Sequence, residues 1–168
     1  PIESNNQFSD LSFLNTFKNK YVIFTKSHNS LYSSALYIFN NSEKKLIGEG
    51  PKLFRELCND EKIYKLYGID SCSSHPHHLY LQVLLETGLI GFICLFSLLI
   101  FTLVMIFKYS FSAKKDVYYN NLAICSLICI FSNIFPLFPS GNFFNNWMNT
   151  IFFVPFGFFL YAKHKIKI

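Results

Sequence analysis

The sequence predicts an all-α, polytopic helical membrane protein, with three spans and an extracytoplasmic region of short helices ahead of them. Three observations predict it. Hydrophobic residues make up 51% of the 168-residue chain and charged residues only 15%. The apolar residues are bunched: no charged residue stands between Thr87 and Phe107, nor between Val117 and Ala162. Both stretches exceed the roughly 18 apolar residues that mark a membrane span. The basic residues follow the apolar runs, with Lys108, Lys114 and Lys115 after the first and Lys163, Lys165 and Lys167 after the last. The composition excludes a disordered chain, a collagen-like chain and a highly charged nucleic-acid binder, so no nucleic-acid partner is expected.

The chain divides near residue 80. Residues 1–78 are mixed and polar, and residues 79–168 are membrane-like. Pro1 to Phe8 lacks the basic start and apolar core of a signal peptide. An opening Pro rather than Met points to a piece of a longer protein, with further spans upstream. In the polar half, Leu31, Ala35, Ile38 and Phe39 fall on one face of a short amphipathic helix over 31–39, ended by Asn40, Asn41 and Ser42. Gly48, Gly50 and Pro51 imply a tight turn. Pro51 suits the first turn of another helix, which carries Arg55 and buries Leu53, Phe54 and Leu57. Residues 59–76 read as loop.

The membrane half reads as spans at about 84–107, 118–135 and 144–162, the first beginning at Leu79 or Leu84. About 20 residues at 1.5 Å each cross the hydrocarbon core. Pro136 and Pro139 stop the second span, and Pro155 and Gly157 are placed to kink the third. Tyr118, Tyr119, Trp147 and Tyr161 sit near span ends, as an interfacial aromatic belt requires. Lys and Arg collect on the cytoplasmic side. Loop 108–115 and the basic tail therefore face inward, and residues 1–78 and turn 136–146 face outward, which in a bacterial inner membrane means the periplasm. Cys94, Cys125 and Cys129 lie in the apolar runs, where small buried packing residues are expected.

The chemistry concentrates in Ser74-His75-Pro76-His77-His78, followed by Glu86, Gly88 and Gly91. Three histidines stand at the outer mouth of a span, and imidazole titrates near neutrality, so one can serve as a base. The plain alternative is a set of polar caps at an interface. No Cys or carboxylate partner has ligand spacing, so no metal site is expected. Glu86 is an ionisable residue at a membrane boundary, and such residues are functional candidates. The glycines admit a close neighbour.

The stretch from His77 through Gly88-Leu89-Ile90-Gly91 resembles the signature of the O-antigen ligase and O-antigen polymerase superfamily: a histidine, an amide or hydroxyl residue, nine residues and G-x-x-G. Here His78 occupies the amide or hydroxyl position, and Phe92 stands where ligases often have Thr or Val. Gly48-Glu49-Gly50-Pro51 with Phe54-Arg55 is similar to the element just upstream in many members, and Ser27 to Phe39 resembles the helix before it, with His28 near a position that is often Arg.

The resemblance implies a membrane glycosyltransferase of surface-polysaccharide (lipopolysaccharide) biosynthesis. It would move a glycan from undecaprenyl diphosphate to an acceptor hydroxyl on lipid A–core or on another glycan, without cofactor or metal. In that scheme His77 is the catalytic base. Arg55, the only arginine in the chain, contacts the diphosphate. His75, His78 and Glu86 bind substrate or orient His77. The alternative is a non-enzymatic membrane transport or assembly component. Cys58 and Cys72 share the outer loop, and a disulfide between them would hold the Arg55 helix near the histidines; the sequence leaves its formation open.

Overall fold

The computed structural model describes residues 25–111 and 116–167, all helix, turn and loop. The polar opening stretch, Lys114 and Lys115 lie outside the described residues. Helix α1 (Lys26–Asn41) contains the expected amphipathic segment but begins five residues earlier. The reason is Thr25, whose Oγ1 accepts the His28 amide at 3.3 Å and caps the first turn. Its buried face carries Leu31, Tyr32, Ser34 and Ala35. A short helix α2 (Phe54–Leu57) follows the glycine-rich turn and buries Phe54 completely.

The expected loop over 59–76 is corrected. Helix α3 (Glu61–Tyr67) and a 3-10 turn (Ile69–Ser71) occupy most of it. Asp60 caps α3 by accepting the Lys62 amide at 2.8 Å, Ile63 and Tyr67 give it a buried side one turn apart, and Gly68 ends it at φ 87°. Ser34 Oγ on α1 donates to the Ser71 carbonyl at 2.6 Å. A disulfide joins Cys58 to Cys72, with Cα atoms 5.2 Å apart. By the chain-entropy model a loop of this size contributes about 3 kcal/mol.

Helix α4 (Leu79–Ser110) runs 32 residues and is the one described helix long and apolar enough to cross a membrane. It is broken at Gly88, which sits at φ 70°, ψ −167°. The segment Lys45–Gly50 fills the break. The Leu89 and Ile90 amides donate to the Lys45 and Leu46 carbonyls at 2.9 and 3.2 Å, while the Glu49 and Gly50 amides donate to the Leu85 and Glu86 carbonyls, each at 3.0 Å. The four α4 groups in these bonds, the Leu89 and Ile90 amides and the Leu85 and Glu86 carbonyls, are ones that the break would otherwise leave orphaned. The approach demands glycine on both sides: a Cβ on Gly88 would collide with the Leu46 backbone, and a Cβ on Gly48 with the Glu86–Gly88 backbone.

Helix α5 (Val117–Asn133) is capped by Asp116, and helix α6 (Asn146–Lys167) runs through Pro155 into the basic tail. Tyr80, Val83, Leu95 and Leu99 of α4 pack with Ile130, Ile134 and Phe152. Farther along, Tyr109, Ala123, Leu127, Phe159 and Ala162 form a second cluster, and Leu31, Tyr32, Ala35, Phe54, Cys58 and Leu85 form a third where α1 and α2 meet α4. Cys94, Cys125 and Cys129 are exposed, correcting the expectation of burial. They lie on outward faces, beside Ile93, Ile100 and Val104 of α4 and Ile128 of α5, while the neighbouring Leu95, Leu99, Ala123 and Leu127 take the interhelical positions.

Candidate functional site

The histidine segment lies where three elements meet: the start of α4, the N-terminal turn of α1, and the 134–145 turn between α5 and α6. The last is hooked onto it. The Ser140 amide donates to the His77 carbonyl at 3.0 Å, and the Ser140 carbonyl lies 3.3 Å from His75 Nε2. Tyr80 Oη donates to the Ile134 carbonyl at 2.7 Å. Gln82 Nε2 donates to Asn142 Oδ1 at 2.8 Å, and Gln82 Oε1 accepts the Phe143 amide at 3.0 Å.

The three histidines of the segment are in different situations. His78 is the cap of α4: its Nδ1 accepts the Leu81 amide at 3.4 Å and its Nε2 faces the Pro136 carbonyl at 3.0 Å. This pattern needs the neutral ring with its proton on Nε2. Burial pulls its pKa down, and the Pro136 carbonyl only partly opposes that. His75 is 8% exposed and is held between Ser74 Oγ (2.9 Å) and the Ser140 carbonyl. Burial and then the charge of His77 lower its pKa. Both nitrogens of each ring are thus engaged within the protein.

His77 differs. It is half-buried, its Nε2 lies 3.4 Å from Ser73 Oγ, and its backbone sits at φ 55°. Holding a histidine there costs on the order of 1–3 kcal/mol, stabilised here by the Ser140 bond to its carbonyl. Its ring centroid is 4.0 Å from that of His75 and 6.0 Å from that of His28. Burial, followed by the His28 charge, keeps its pKa below the usual 6.5. At neutral pH His77 is therefore an unprotonated, accessible imidazole, the form a general base requires.

Arg55 is exposed on α2 and borders an open hollow of about 530 Å³ lined also by Asn59, Tyr64, Cys72, Ser73 and Ser74. Tyr64 Oη donates to Asn59 Oδ1 at 3.0 Å. Ser73 belongs to both places: it shares one hollow with Arg55 and a hydrogen bond with His77. The disulfide fastens the two chain segments that carry them.

Glu86 goes elsewhere. It is 1% exposed, and its Oε2 accepts the Lys52 amide at 2.9 Å and Gln82 Nε2 at 3.2 Å. The structure joins it to the turn that leads into the Arg55 helix, and none of its hydrogen bonds goes to a histidine. Sequence reasoning set His28 only near a position that is often Arg in the family it resembles, and gave Tyr32, Ser73 and Ser140 no role. His28 sits in the first turn of α1, with its Nδ1 2.8 Å from Thr25 Oγ1, and is linked to His78 through Tyr32 (ring centroids 6.0 and 5.2 Å). No local spacing ties His28 to His77; only the tertiary fold does. Among the described residues no three His, Cys, Asp or Glu side chains are grouped so as to hold a metal ion. No protein-family model matches the chain, and no curated protein or solved structure matches it either.

Proposed function

We propose that this chain carries the active site of a membrane glycosyltransferase of the O-antigen ligase and polymerase type, moving a glycan from undecaprenyl diphosphate to an acceptor hydroxyl. The observation that supports this reading is that Ser73, just ahead of the long apolar helix, both hydrogen-bonds an accessible neutral imidazole and lines the hollow bordered by the chain's one arginine. His77 takes the proton of the acceptor hydroxyl as its oxygen bonds to the anomeric carbon. The bond from that carbon to the diphosphate oxygen breaks, and its electron pair leaves with the lipid diphosphate. Arg55 neutralises the charge gathering there by paired N–H bonds. The polar lining of the hollow, Asn59, Tyr64 and Ser74, suits sugar hydroxyls.

In the same reading α4, α5 and α6 are three spans of a bacterial inner-membrane protein. Residues 1–78 then face the periplasm, where the Cys58–Cys72 disulfide is stable. The exposed Ile90, Ile93, Phe101, Val104, Ile151, Val154 and Phe158 face lipid or neighbouring spans. The non-enzymatic reading draws support from His75 and His78, which serve as structural ties, but gives His77 no task. The test is transfer by the full-length protein in proteoliposomes. Replacing His77 with Ala should lower transfer by about 100-fold or more, the usual contribution of a general base. Arg55→Ala should do the same, with Arg55→Lys recovering only part. A folded His77→Ala protein with wild-type transfer overturns the assignment.

A further inference from the structure

We propose that α5 and α6 form a seat for one anionic phospholipid of the cytoplasmic leaflet, with an acyl chain in the groove between them and the headgroup phosphate against Lys163 and Lys165. The proposal rests on the reading of α4, α5 and α6 as spans, and adds a lipid site at the end away from His77. The groove is an open hollow of about 850 Å³. Tyr118 and Leu122 of α5 form one wall. On α6, Thr150, Phe153, Gly157 and Tyr161 follow one another at helical spacing and line a single face. That stretch of helix rises about 16 Å, roughly the depth of one leaflet of the ~30 Å hydrocarbon core. Gly157 makes the space. A Cβ there would meet nothing within 4 Å, so no described neighbour in the chain requires a glycine at this point of the helix.

The mouth of the groove is cationic. Lys165 Nζ stands 5.8 Å from the centre of the Tyr161 ring, which is also a wall of the groove. Tyr161 meets Tyr119 with ring centroids 5.9 Å apart, so α5 braces the ring. Tyr109 packs on Phe159, ring centroids 5.9 Å apart, and brings the end of α4 with Lys108 to the same end of the bundle. Asp116 is the only acidic residue after Glu86, and its Oδ1 accepts the Tyr119 amide at 3.3 Å as the cap of α5. Among the described residues neither Lys163 nor Lys165 forms an ion pair with a carboxylate. An apolar groove one leaflet deep that ends in ammonium groups matches an acyl chain that ends in a phosphate. A neighbouring helix would fill only the apolar part, and a zwitterionic lipid would bring its own cation to the lysines.

The experiment places the full-length protein in phosphatidylcholine nanodiscs with a trace of phosphatidylglycerol that carries a diazirine on one acyl chain, or with the matching phosphatidylcholine probe. Crosslinks are mapped by mass spectrometry to residues 150–161 and, as the control, to the outward Ile93, Ile100 and Val104 of α4. The groove should favour the anionic probe by about ten-fold or more, since each basic residue beside an anionic headgroup contributes about five-fold. The α4 face should show no such preference. Lys163→Gln with Lys165→Gln should cut the preference by about five-fold or more and leave α4 labelling unchanged. Gly157→Leu, whose side chain enters open space, should lower groove labelling by the anionic probe several-fold. Equal labelling of the groove by the two probes, or a preference that survives the paired lysine replacement, overturns the proposal. A labelled α4 face beside a bare groove means that protein covers the groove; it overturns the lipid seat and leaves the spans standing. If neither face is labelled, the reading of these helices as spans falls, and the seat falls with it.

Discussion

At the scale of the residue, the three histidines of the His-Pro-His-His run are alike in sequence and unlike in the fold. His78 and His75 are bound at both ring nitrogens, whereas His77 keeps an accessible ring at a positive φ. That division has a consequence for stability. The folded pKa values of His75 and His78 lie below the usual 6.5. Below about that pH the unfolded chain binds protons that the folded chain refuses, so stability is full above it and falls as pH drops further. The thermal unfolding midpoint of the full-length protein should fall as pH is lowered from 6.5, and His78→Gln, itself less stable at neutral pH, should show a shallower fall. A flat midpoint across that range contradicts the neutral, tethered state assigned to these rings. The run was visible in the sequence as a place where chemistry gathers. Which ring is the free one was not, because Pro136 and Ser140, which occupy the other two, come from a distant turn.

At the scale of the element, the most informative feature is the interlock of the Lys45–Gly50 segment with the broken α4. Both glycine motifs were legible, as a turn and as a point of close approach. Their partnership was not, because spacing along the chain carries no record of which backbone meets which. The helices follow the same pattern. The apolar runs placed α4, α5 and α6, since hydropathy reports them directly. Helix α3 escaped, because its seven residues carry Lys and Glu and only Ile63 and Tyr67 are buried. Gly88→Ala or Gly48→Ala should destabilise the fold by more than about 2 kcal/mol, since each forces a Cβ into backbone at a positive φ. Glu86→Ala should cost about 1–3 kcal/mol by stripping the Lys52 amide and Gln82 of their acceptor, with Glu86→Gln milder. These losses are read by denaturant or thermal unfolding. A stable Gly88→Ala protein contradicts the interlock.

At the scale of the molecule, helices α1–α3, the interlock and the 134–145 turn gather the histidine segment and the Arg55 hollow near the start of the long helix, and the basic tail packs near its far end, where Tyr109 meets Phe159 and Ala162. That polarity predicts a topology. With the native Cys94, Cys125 and Cys129 replaced by Ser, a membrane-impermeant maleimide should label Lys62→Cys in intact spheroplasts, and Lys165→Cys only after permeabilisation. The reverse pattern would invert the protein in the membrane and remove the periplasmic site. Ser73 is the point where the proposed base and the proposed diphosphate contact converge. The most direct measurement therefore places a photo-crosslinking amino acid at Ser73 of the full-length protein and offers it undecaprenyl diphosphate in nanodiscs. Capture of the lipid diphosphate that is lost in Arg55→Ala and kept in His77→Ala is the predicted result. Capture no greater than at a control position on the exposed face of α6, or capture indifferent to Arg55, would contradict it.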